Sequence, residues 1–179
     1  MSDAPISQQE TLARAVESSQ PLLTRYLAGF NDDNRTRQAP GLPNHAGWTL
    51  GHCALTMYRL AENHLHGHPL PDCDFITGDG TAGDAGRFDT ESVCYGSTPV
   101  DRPEMYPTME RGRAVFDGAC AALAAAVRAA DDATLAAEME WHGTSYPTWS
   151  LVLRVCFHNG THAGQLTDLR RGLGMDNII

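Results

Sequence analysis

His158 and His162 stand four residues apart, and in a helix that spacing returns both imidazoles to one face, a turn from each other. Each neutral imidazole offers one ring nitrogen to a cation at roughly 2.0 to 2.1 Å, so an H-x-x-x-H pair can chelate a single metal ion. Two ligands alone leave such a site undersaturated, and an isolated pair of this kind is more often a pair of hydrogen-bonded core histidines. A third ligand has to come from another helix. His52 is placed for that role, on the core edge of an earlier helical segment after Trp48 and Gly51, where a small residue permits close helix approach.

Other groups compete for attention. His64, His66 and His68 alternate, so on a helix they point in different directions, and they read as solvated surface near a helix end. Cys53 and Cys156 are sequence neighbours of His52 and of the His158 segment, but adjacent helical positions diverge by about 100 degrees, which makes buried inert thiols the simpler reading than a Cys-His nucleophile. Gln165, one turn beyond His162, either orients a ligand or is a capping or solvated amide. Trp141-His142 lines a pocket mouth or forms a packed connection, the second being preferred. No lysine occurs, and all 13 basic residues are arginine, which removes Schiff-base and P-loop chemistry together.

The elements that must position the histidines are helical. A first helix is expected from about residue 6 to 30, with Pro21 kinking it or opening its second half and Gly29 and Asn31 at its end. A polar connection stops at Asn44, the expected N-cap of a second helix from about 47 to 66 whose apolar stripe is Leu50, Cys53, Met57, Leu60 and Leu65. Residues 67–107, rich in Gly and Pro, form a long irregular loop, either a lid over a site or a surface insertion. A third helix follows from near Thr108 to Asp131-Asp132, then a short amphipathic piece around 134 to 139. The fourth helix starts at Thr144 or Ser145 with Pro147 and ends at Gly172 and Gly174. Leu151, Val155, His158, His162, Gln165, Leu166 and Leu169 share one side of it. With no convincing strand pattern, the expected fold is an all-α four-helix bundle in a single domain, 1–179.

The segment Trp48-Thr49-Leu50-Gly51-His52, the segment Phe157-His158-Asn159-Gly160-Thr161-His162-Ala163-Gly164-Gln165-Leu166 and the closing Leu169-Arg170-Arg171-Gly172-Leu173-Gly174 together resemble the DinB/YfiT-like family. The resemblance implies a four-helix bundle, often a homodimer, with one divalent zinc or nickel ion per chain held by His52, His158 and His162. It also implies an activity of the kind seen in characterised relatives, which move a low-molecular-weight thiol onto an electrophile or use a thiol cofactor for isomerisation. One iron-dependent subgroup carries Glu two residues beyond the second histidine of the pair, where this chain has Gly164. Three protein ligands leave coordination positions open, so thiol transfer, a non-catalytic metal-binding stress-response module and a metal-water hydrolase all stay available. For hydrolysis no general base stands near, since Glu62 lies nearly three turns from His52.

Composition bounds the partners. The net charge of -9, with no basic run longer than Arg170-Arg171, repels nucleic-acid backbones and anionic membranes. Five cysteines without a C-x-x-C spacing fit reduced thiols rather than a disulfide framework. The opening residues do not read as a signal peptide, and the expected location is the cytoplasm.

Overall fold

A computed structural model of the chain describes residues 5–141 and 143–178. Four long helices dominate: α1 (Gln8–Arg25), α2 (Ala46–Leu65), α4 (Met109–Ala129) and α6 (Thr148–Gly172), with the short α3 (Thr90–Val93) and α5 (Asp132–Ala136) between them. α1 and α2 each pack against both α4 and α6. Leu12, Val16 and Leu23 meet Phe116 and Leu123 in the shared core with Leu50, Met57, Leu60, Leu151, Val155 and Leu166, all buried. Each such side chain contributes roughly 1.5 to 3 kcal/mol when taken fully out of water. No described helix is long and apolar enough to cross a membrane.

The helix starts are fixed locally. Ser7 Oγ accepts from the Glu10 amide and Thr108 Oγ1 from the Arg111 amide, each occupying an otherwise unpaired donor of a first turn. α2 departs from expectation. Its N-cap is His45 rather than Asn44, with the imidazole Nδ1 accepting from the Trp48 amide at 3.1 Å and Nε2 donating to the Val100 carbonyl at 3.1 Å. Asn44 is thereby left to reach across to α6. α1 also ends at Arg25, short of residue 30. Successive turns, closed by Gly29 at φ +82°, carry Leu27 and Phe30 into the core without helix, and Pro21 sits inside α1 rather than opening a new one.

The expectation of no strands is overturned. β3 (Glu138–Trp141) pairs antiparallel with β4 (Thr144–Pro147), Met139 opposite Tyr146. Hence α5 stops at Ala136 where a helical piece to 139 is expected, and α6 begins at Thr148 rather than 144. Glu138 and Glu140 point outward while Met139 and Trp141 are half-buried, the alternation of a strand with one face covered. Four residues are too few to outweigh the helix-favouring composition around them.

Residues 67–107 are not structureless. β1 (Phe75–Ile76) pairs parallel with β2 (Phe88–Asp89), α3 follows at once, and a 3-10 turn spans Pro103–Met105. Buried Asp89 organises the segment, its Oδ2 accepting from the Gly80 and Ala82 amides at 2.9 and 2.8 Å and its Oδ1 from Glu91 at 2.8 Å. Asp74 ties it to the helices, accepting from Tyr58 of α2 at 3.0 Å and from Arg111 of α4 at 2.5 Å. The layer lies flat on α2 because Gly51 has no side chain. A Cβ there would stand 2.5 Å from Phe88 Cδ1 and 2.9 Å from Val93 Cγ1.

Candidate metal centre

The packing of α2 on α6 brings the three expected histidines together. His158 Nε2 lies 3.0 Å from His52 Nε2 and 3.2 Å from His162 Nε2. All three residues present one nitrogen within 4.8 Å of the others, and no other cluster of three or more such ligands occurs among the described residues. Trp48, one turn before His52, stacks on its ring at 4.4 Å between centroids and 11° between planes, which fixes the imidazole edge-on to α6.

Hydrogen bonds on the far side of two rings decide where their protons sit. His52 Nδ1 is 2.8 Å from the Val93 carbonyl oxygen, which can only accept, so Nδ1 carries the proton and Nε2 presents a bare lone pair. His162 Nδ1 is 2.8 Å from Gln165 Oε1, and Asn44 Nδ2 donates to the same oxygen at 3.0 Å, which holds the amide with its oxygen toward the ring. His162 Nε2 is therefore bare as well. His158 Nδ1 is buried with no hydrogen-bond partner among the described residues. A neutral His158 has a single ring proton and cannot satisfy two facing lone pairs at once. A divalent cation satisfies all three nitrogens together, and three imidazoles form a donor set suited to a divalent transition-metal ion.

The electrostatics keep the rings in the form a metal requires. His158 is pushed down to about 3 by burial first and then by the two neighbouring imidazoles. Burial likewise lowers His162 to about 4, with His52 adding to it, and lowers His52 against the opposing pull of the Val93 carbonyl. All three are neutral at physiological pH, the state in which imidazole ligates.

A cavity of about 430 Å³ opens directly beside His52 and His158. Leu60, Leu151, Val155 and Phe157 give it apolar walls, Tyr95 and Trp141 stand at its side, and Arg154 supplies the one formal charge of the lining among the described residues. The Thr56 and Thr161 hydroxyls at its edge are turned back onto the carbonyls of His52 and Phe157. A second chamber of about 270 Å³ shares Thr56, Tyr95 and Trp141 with the first. The first is within the size range of small-molecule sites and has their character, apolar walls with few polar groups.

The remaining candidates fall elsewhere. His66 is the C-cap of α2 at φ 53°, exposed like His68, and neither joins the cluster. Cys53 is fully buried, its thiol raised by burial, and Cys156 is pushed up to about 11 for the same reason, so neither is a thiolate at neutral pH. Glu62 accepts from the Leu70 amide at 3.3 Å, and no carboxylate lines the cavity among the described residues. Trp141 lines both chambers, while His142 lies outside the described residues. Sequence reading missed His45 and Arg154. Arg154 stands four residues before His158, the same spacing that identifies the histidine pair.

No curated protein matches the sequence. The fold is similar to the crystal structure of a conserved protein from Enterococcus faecalis, with a TM-score of 0.68 at 12% identity over 94% of this chain and 98% of that one. At that identity the likeness concerns the fold alone. The model of the DinB superfamily matches residues 15–166, a span that holds all three histidines, and the chain belongs to the DinB superfamily.

Proposed function

We propose that the chain is a metal-dependent enzyme that transfers a low-molecular-weight thiol to an electrophile or uses it in an isomerisation, with one divalent zinc or nickel ion held by His52, His158 and His162. The four long helices form, in this reading, the four-helix bundle that carries the centre. The observation that carries it is the convergence of three neutral imidazole nitrogens, two of them bared by fixed partners on the opposite ring nitrogen. A bound ion would supply Lewis-acid chemistry, keeping a coordinated thiol deprotonated at neutral pH.

The chain's own groups do the rest. Val93 and Gln165 hold the ring protons away from the centre, and Trp48 clamps His52. The apolar walls of the adjoining cavity exclude water from one side of the histidine cluster, and Arg154 adds a positive charge at its margin. A metal serving only to tie α2 to α6 would need no such cavity, and hydrolysis would need a carboxylate general base, which the lining lacks among the described residues. Both alternatives are weaker for those reasons.

The test begins with metal analysis of untagged protein purified without chelating resin, beside His158→Ala. The expected result is a single ion per chain that the substitution removes, followed by metal-dependent consumption of a cellular thiol in the presence of electrophiles. An ion unaffected by the substitution would return His158 to the core, and a metal-loaded protein inert to every thiol tried would leave the centre structural.

A further inference from the structure

We infer that the cavity beside the three histidines is a subsite for an apolar carboxylate, with Arg154 as the group that takes the carboxylate. This rests on the proposed reading only in placing the far end of that molecule toward the histidine cluster.

Acidic residues number 22 against 13 arginines, and seven of those arginines form ion pairs among the described residues. Arg154 is exposed, lines the cavity and takes part in no ion pair among the described residues. One ring contact orients it. The guanidinium carbon lies 4.7 Å over the centroid of the Tyr146 ring, on the strand that leads into α6.

Stacking of this kind engages the face of the guanidinium and leaves the N–H groups along its edges free, in the fork geometry that matches a carboxylate. Side-chain freedom is given up to the Tyr146 contact before any ligand arrives, which lowers the cost of binding one. Arg154 and His158 are four residues apart, a backbone rise of about 6 Å; the guanidinium reaches back from there to Tyr146, so the ligand has to span more than that rise, along a lining that includes Leu151, Val155 and Phe157. A molecule that satisfies both ends is therefore anionic at one end and apolar beyond it, and its reacting end meets the metal centre. In the proposed thiol chemistry this is the electrophile.

The test uses phenylbutyrate, phenylbutanol and phenylbutylamine as probes in calorimetric titrations of the full chain, zinc-loaded and metal-free, for wild type, Arg154→Gln and Arg154→Lys. Phenylbutyrate is expected to bind wild type at least tenfold more tightly than the alcohol and the amine, with or without zinc. Arg154→Gln should erase that preference while zinc stoichiometry and the melting transition stay unchanged, and Arg154→Lys should keep part of it. Equal binding of acid and alcohol to wild type, or a preference that survives Arg154→Gln, overturns the subsite. A preference that needs zinc and ignores Arg154 also overturns it, because it places the carboxylate on the ion. Loss of zinc binding by wild type instead strikes the metal reading and leaves the metal-free titrations to decide the subsite.

Discussion

Gln165 is the most informative residue to change, because it touches the centre only through the proton on His162. Gln165→Leu removes the acceptor 2.8 Å from His162 Nδ1 and also frees Asn44. The ring can then rotate or place its proton on Nε2, and each costs metal affinity. Losing a hydrogen-bond partner of this kind weakens metal binding about 10- to 100-fold, or roughly 1.4 to 2.7 kcal/mol. At free zinc 1,000 times the dissociation constant, a native-state ligand stabilises by about 4 kcal/mol. That is a rise of roughly 8 to 16 °C in melting temperature for a chain of this size. In the variant at the same zinc level the stabilisation falls to roughly 1.4 to 2.7 kcal/mol, and the rise shrinks in proportion.

The assay is competition against a chromophoric chelator at neutral pH, paired with melting curves with and without zinc. Gln165→Glu is the control, since its carboxylate keeps an acceptor at the same place and should restore or tighten binding. The metal-free melting temperatures of all three proteins should agree closely, Gln165 being only half-buried. Wild-type zinc affinity in Gln165→Leu would refute the claim that the proton on His162 is fixed from behind.

Four further outcomes are expected. Burial lowers His45 from its ordinary 6.5 to about 4, so the unfolded chain binds the proton more readily and stability falls as pH drops from 6.5 through 4, by on the order of 3 kcal/mol. His45→Asn keeps a capping acceptor without titrating, and urea unfolding across that window should show a shallower pH slope than wild type. Gly51→Ala places a methyl group into Phe88 and Val93 and should cost about 1 to 3 kcal/mol of stability, with weaker zinc binding as the Val93 carbonyl is displaced from His52. Asp89→Asn turns amide hydrogens toward some of the three backbone donors its carboxylate now accepts from, and the urea midpoint should fall by the equivalent of roughly 1 to 3 kcal/mol. Arg128→Ala, which breaks exposed, solvent-screened pairs to Glu10 and Glu17, should leave the urea midpoint close to that of wild type.

What could be read in the sequence follows how local each signal is. The long helices and the pairing of His158 with His162 rest on a period of three to four residues, which a chain displays directly. His52 was legible because Trp48 lies one turn before it on the same edge of α2 and Gly51 permits a close helix approach there. The partners that set the ring protons were not. Val93 contributes a backbone carbonyl, which no residue type announces, and its placement depends on Asp89 folding the segment before it. Asn44 looked like a helix cap, and only the crossing of α2 and α6 shows that it holds Gln165. The strands of four and two residues carried too little periodicity to be seen against Ala- and Gly-rich neighbours.

The β3–β4 hairpin divides the molecule's properties in a way useful for engineering. It supplies Trp141 to the cavity and Tyr146 to Arg154, yet contributes none of the three imidazoles and none of the groups that hold their protons. Gly143, at φ +77°, has open space where a side chain would be. The hairpin is thus an exchangeable cassette. Its length and facing residues can be varied in a library that reshapes what the cavity accepts, while α2 and α6 keep the histidine cluster unchanged.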